Sequence, residues 1–98
     1  MLVKIHKSYR NVIAICDSEL LGKKLEEGNT QIDLTGEFFN GDEKSESEVL
    51  EIIKDEKTED ATFNIVGKKA IQLALKTGIV DKQGIKTIKG IPVALTLL

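Results

Sequence analysis

The chain has one cysteine and one histidine in 98 residues, and each scarcity closes a class of answer. Cys16 alone excludes an intramolecular disulfide framework, and Cys16 with His6 supplies too few ligands for an ordinary structural zinc site, so stability has to come from packing. No apolar run approaches the roughly 18 to 20 residues that span a bilayer. The opening Met1-Leu2-Val3-Lys4 reads as strand rather than as the apolar core of a secretory leader. The expectation is a cytoplasmic protein with no membrane partner. There is also no three-glycine dinucleotide turn, no glycine-rich loop ending in Gly-Lys-Ser/Thr, and no nucleophile with a base beside it. No catalytic residue, metal or cofactor is expected, and an enzyme is the less favoured reading.

What is present is a 41% hydrophobic chain, enough for one small core and one domain over residues 1–98. Its formal charge of −2 is a cancellation. Residues 42–60 carry three lysines against nine acidic groups, while residues 61–98 carry six lysines against Asp81 alone. An acidic middle and a basic end predict one surface that attracts anions and one that repels them, unless the two neutralise each other in the fold.

The stretch with the clearest organisation is Ala61 to Gly78. Thr62 to Val66 alternates Phe63 and Ile65 with Thr62, Asn64 and Val66, as an inner strand does. From Lys68 the period turns helical, through Ala70, Ile71, Ala74 and Leu75, and Gly78 sits where a left-handed residue closes the helix. Gly67, Lys68 and Lys69 place an unobstructed backbone and two cations at the helix start, where the first N–H groups lack partners. A phosphate or an RNA backbone is the candidate ligand there. The competing reading is a glycine that relieves a tight junction, beside two solvated lysines.

Leu2 to His6 and Val12 to Cys16 read as hairpin strands, with Val3, Ile5, Ile13 and Ile15 on the core face. That pairing sets His6 and Cys16 at opposite ends, roughly 13 Å apart at about 3.3 Å per residue, too far for a shared metal or a catalytic dyad. Between the strands, Lys7, Tyr9 and Arg10 combine cations with a flat ring on an exposed loop, the pairing that single-stranded RNA recognition uses. Asp17 or Ser18 is expected to cap a short helix through Glu19 to Leu21, continuing toward Glu27 and ending at Gly28. Thr30 to Thr35 reads as a strand, Phe38 and Phe39 as core plugs or groove lining, and Asn40-Gly41 as a turn. Ser45 to Glu48 is a capping box that opens a helix to about Asp55, its carboxylates on a solvated face. Ile85 to Lys89 and the apolar run Val93 to Leu98 close the chain as strands, with Pro92 at a first strand position. If that segment folds back beside the central unit, Lys82, Lys86 and Lys89 extend the positive surface begun by Lys68 and Lys69.

Cys16-Asp17 with Leu20-Leu21-Gly22-Lys23, the Phe38-Phe39 element, Asn64-Ile65-Val66-Gly67, Gly78-Ile79-Val80 and Gly90-Ile91-Pro92 occur in an order that resembles the archaeal domain-of-unknown-function family 424. The resemblance covers essentially the whole chain. It implies no established activity and a loose association with RNA or translation. Family members often carry a histidine after the stretch matching Gly90-Ile91-Pro92, where this chain has Val93.

The fold expected is α+β, a mixed sheet of about five or six strands with an N-terminal hairpin and two main helices packed on it. The function expected is a non-enzymatic RNA-associated protein that binds phosphates through Gly67, Lys68, Lys69, Lys86 and Lys89, and a base through the Lys7-Tyr9-Arg10 tip. RNA or a ribonucleoprotein is the expected partner. The alternative is a protein-interaction module or homodimer that uses the apolar C-terminal strand or the acidic helix.

Overall fold

The computed structural model describes residues 1–96. Its strands are β1 (Leu2–His6), β2 (Val12–Cys16), β3 (Lys24–Glu27), β4 (Thr30–Asp33), β5 (Asp42–Glu43), β6 (Thr62–Val66), β7 (Lys86–Ile88) and β8 (Ile91–Thr96); its helices are α1 (Glu46–Thr58) and α2 (Lys68–Thr77). Six strands form one mixed sheet in the order β5-β1-β2-β6-β8-β7, and β3 pairs with β4 in a separate two-stranded sheet. This is the α+β architecture that the sequence periods predict.

The two central strands, β2 and β6, run parallel, Ile13 opposite Phe63 and Ile15 opposite Ile65. A parallel pair needs a long crossover, and the chain from Asp17 through α1 supplies it. Period-two alternation then sorts the side chains. Val3, Ile13, Ile15, Phe63, Ile65 and Ala94 meet Val49 and Ile53 of α1 and Ala70, Ile71 and Ala74 of α2. Leu2, Ala14, Cys16 and Val66 point the other way and pack with Leu20, Leu34 and Phe39. Ile13, Ile15 and Ile65 are sealed in the interior, and burying a side chain of that size contributes about 2 to 3 kcal/mol.

Ile5 departs from expectation. It lies on the helix-facing side by register but is 38% exposed, because β5 pairs only with Leu2 and Val3 and leaves the end of β1 without an outer neighbour.

The capping box forms as read: the Glu48 amide donates to Ser45 Oγ at 3.2 Å and the Ser45 amide to Glu48 Oε1 at 2.9 Å. The helix runs to Thr58 rather than stopping near Asp55. Half-buried Glu56 accepts from Asn11 Nδ2 at 3.0 Å, which ties the last turn to the β1–β2 loop.

The helix expected toward Glu27 is corrected. Only Ser18–Leu20 turns, as one 3-10 turn; Lys24–Glu27 is a strand, with Leu25 opposite Ile32. Gly22 breaks the helical path at φ +89°, and Gly28 at φ +61° is the tight turn of a hairpin rather than the end of a helix. The C-terminal strand begins at Ile91, includes Pro92, and is inserted between β6 and β7. Leu97 and Leu98 of the predicted run lie outside the described residues.

Candidate nucleic-acid interface

The strand directions divide the candidate residues between two ends of the sheet. Cys16 and Val66 finish β2 and β6 side by side, and Val66 lies opposite Val93, itself opposite Lys86. Gly67, Lys68, Lys69, Lys86 and Lys89 therefore belong to one end. Lys7, Tyr9 and Arg10 belong to the other, roughly 20 Å away along β2 at about 3.3 Å per residue.

At the first end the helix start is already engaged. Gly67 is the residue before α2, at φ +115° and without a capping side chain. Asp17, immediately after β2, reaches across instead: its Oδ2 accepts from the Lys69 amide at 3.1 Å and its Oδ1 from the Ala70 amide at 2.9 Å. Asp17 is only 5% exposed, a buried carboxylate held against the positive end of a helix. Its own amide donates to the Val66 carbonyl at 3.1 Å, and the Gly67 amide donates to the Pro92 carbonyl at 2.9 Å, so both sides of the junction are stitched to neighbouring strands.

This arrangement explains the glycine. A Cβ at position 67 would stand 2.4 Å from Asp17 Cγ and 2.6 Å from Asp17 Oδ2. The two amides that a docked phosphate would use are occupied by a carboxylate, and a phosphate at this end would have to be met by the side chains of Lys68, Lys69, Lys86 and Lys89, all exposed. Acidic groups stand among them. The Lys89 amide donates to Glu27 Oε1 at 3.0 Å. Glu43 is held below the usual carboxylate range by a hydrogen bond from the N-terminal amine and another from the Ser18 hydroxyl. Burial, and then the Asp17 charge, push the Cys16 thiol up to about 11, which keeps it protonated and unreactive at neutral pH.

The opposite end presents rings and cations. Tyr9 is 104% exposed at the tip of the β1–β2 loop, and Phe38 is 41% exposed. Phe38 stacks on His6 with ring centroids 4.5 Å apart and planes 14° from parallel, while the His6 Nε2 lies 2.9 Å from the Phe38 carbonyl oxygen. Phe39 turns inward and meets Phe38 edge-on at 5.1 Å, so the adjacent phenylalanines split, one to the core and one to the surface. Lys7 and Arg10 are exposed beside Tyr9, and by register Lys4 and His6 share the sheet face that carries Asn64.

Sequence reading missed two features: Asp17 as the cap of a helix fifty residues on, and the His6–Phe38 pair. The available signal for the first was a helix start with no Ser, Thr, Asp or Asn before it and no acidic residue in its first turn. Among the described residues, no three His, Cys, Asp or Glu side chains are grouped to hold a metal ion, and no helix is long and apolar enough to cross a membrane.

An α+β chain whose parallel central strands are locked by a buried carboxylate against a glycine-started helix defines a class of fold rather than an activity. The family model described as "Protein of unknown function (DUF424)" matches residues 6–97, and the chain belongs to that family. The crystal structure of an uncharacterized conserved protein from Methanopyrus kandleri superimposes with a TM-score of 0.84 at 22% identity, over 97% of this chain and 88% of that one. None of the curated proteins matches the chain.

Proposed function

We propose that this protein is a non-enzymatic, cytoplasmic RNA-associated protein whose first contact is with single-stranded RNA at the β1–β2 end. The observation that carries the reading is the fully exposed Tyr9 ring beside Lys7 and Arg10, with the stacked His6–Phe38 pair at the same end of the sheet. Every base offers a π-face, so an exposed ring with cations around it binds unpaired nucleotides with little sequence preference. Lys68, Lys69, Lys86 and Lys89 at the far end then contact phosphates through their side chains, since Asp17 holds the helix amides.

The test is fluorescence anisotropy with single-stranded RNA, including segments from the translation apparatus, at low and physiological salt. Tyr9→Ala and Phe38→Ala should each weaken binding by roughly 5- to 150-fold, the worth of one base stack at about 1 to 3 kcal/mol. Lys68→Glu/Lys69→Glu should reduce the steepness of the salt dependence, because fewer counterions are released. Binding that is equal in wild type and Tyr9→Ala removes the stacking end from the proposal, and no binding at physiological salt removes RNA altogether.

A second reading rests on Leu95, 60% exposed. The backbone of β8 is paired on both sides, so a protein partner or second copy would use the face of that strand, through a cleft of about 320 Å³ lined by Ile32, Ile88, Val93 and Leu95. Leu95→Glu should then abolish association in analytical ultracentrifugation; a monomer at every concentration before the change would dismiss the homodimer form.

A further inference from the structure

Helix α1 is acidic as a whole, yet its charges are sorted. At 100° per residue, Leu50, Lys54, Lys57 and Thr58 fall on one face with Glu51 at its outer edge beside Lys54, while Glu48 and Asp55 fall on another. That first face lines a cleft of about 440 Å³ against Lys76 and Thr77 of α2. A second cleft of about 250 Å³, lined by Lys69, Leu73 and Lys76 with Glu46 at its α1 side, adjoins it through Lys76. The two helices lie next to each other with Glu46 near the start of α2 and Lys57 near its end, where Lys57 Nζ donates to the Thr77 carbonyl at 3.3 Å. The result is one groove along the outside of the helix pair, with Leu50, Ile53 and Leu73 in its floor and Lys54, Lys57, Lys69 and Lys76 on its rims.

We propose that this groove docks an acidic amphipathic helix of a partner protein. Two neighbouring helices leave a furrow in which a third helix packs its apolar stripe. The floor centres on half-buried Leu50 over buried Ile53 and Leu73, and the four lysines outnumber Glu46 and the Lys54-paired Glu51, so the complementary ligand carries leucine-like residues along one face with carboxylates flanking them. No aromatic ring lines either cleft, which gives a nucleic acid phosphate contacts but no base platform. Glu51 pairs with Lys54 at the outer rim, 3.9 Å from its Nζ, while Glu48 and Asp55 face away and repel an acidic peptide from the rest of the helix, so Lys57, Lys69 and Lys76 set the rim charge.

The probe is a designed peptide of about 15 residues, long enough to span roughly 20 Å as a helix, with leucines at helical i, i+4, i+7 and i+11 and glutamates beside them. Its control replaces every glutamate with lysine. Titrated into nitrogen-15-labelled protein, the acidic peptide should shift the amides of Leu50, Lys54, Lys76 and Thr77, and Lys54→Glu/Lys76→Glu should weaken its binding roughly tenfold or more, since each reversed rim charge is worth up to about 1 kcal/mol. The lysine control should produce no shifts in the groove. Equal binding of the two peptides, shifts confined to another surface, displacement of the acidic peptide by single-stranded RNA, or no shifts at millimolar peptide would each overturn the proposal. Lys54 and Lys76 are exposed, so the variant retains the fold, and its spectrum checks that directly.

Discussion

At the carboxyl ends of β2 and β6, a carboxylate, two amides and a glycine are fitted closely together; at the far end of the same strands, Tyr9 stands in solvent beside Lys7 and Arg10, and Phe38, stacked on His6, stays partly open. Both ends are loops leaving β-strands, and both carry lysines. They differ in where the polar groups find their partners. Asp17 finds two amides within the protein, which makes its end rigid and self-sufficient. Tyr9 has no such enclosure, which makes its end available. A basic helix start is thus a weaker sign of a ligand than an exposed ring, because the fold itself can satisfy the first.

The comparison breaks most readily at position 67. Gly67→Ala sets a side chain into the Asp17 carboxylate at a left-handed φ of +115°, and should cost about 3 kcal/mol or more. Urea denaturation measures the loss; a variant as stable as wild type would mean that Asp17 and α2 move apart at no cost. Asp17→Ala comes next. It strands the Lys69 and Ala70 amides, and should cost about 2 kcal/mol, with Asp17→Asn recovering part of it.

A smaller effect sharpens the closed end through pH. The Cys16 thiol ionises near 11 in the folded chain against an ordinary 9.0, so its contribution is fully present below pH 9 and is lost as pH rises toward about 11, where the unfolded chain has released the proton first. Wild type should lose stability relative to Cys16→Ala as pH rises from about 9 to about 11, read as diverging denaturation midpoints. At the open end, the Tyr9→Ala protein of the RNA experiment should differ from wild type by less than about 0.5 kcal/mol, since that ring is fully exposed.

The elements were legible where local period and local chemistry agree. Thr62 to Val66, Lys68 to Thr77, the closing Gly78 and the Ser45 capping box follow from residues within a few positions of one another, and they stand where the sequence puts them. Lys24 to Glu27 misled because only Leu25 in it is apolar, too little to distinguish a helix face from a strand whose partner lies across Gly28-Asn29. The site was less legible. Asp17 beside Ser18 looks like a local cap, and its actual bonds depend on the parallel register of β2 with β6. The Phe38 stack on His6 likewise joins residues 32 positions apart. The lysines were readable as charge, but which end of the sheet each one serves is decided by strand direction.

The sheet also carries its own limit to growth. Its outermost members are β5, two residues long and wholly acidic, and β7, three residues that begin with Lys86. Strands that short offer few free amides and carbonyls to a passing strand, with Lys4 to His6 of β1 the remaining open edge, and their charges repel the same border of a second copy. Fibrillar self-assembly, the standing hazard of an open sheet, is thereby discouraged by brevity and charge at both borders.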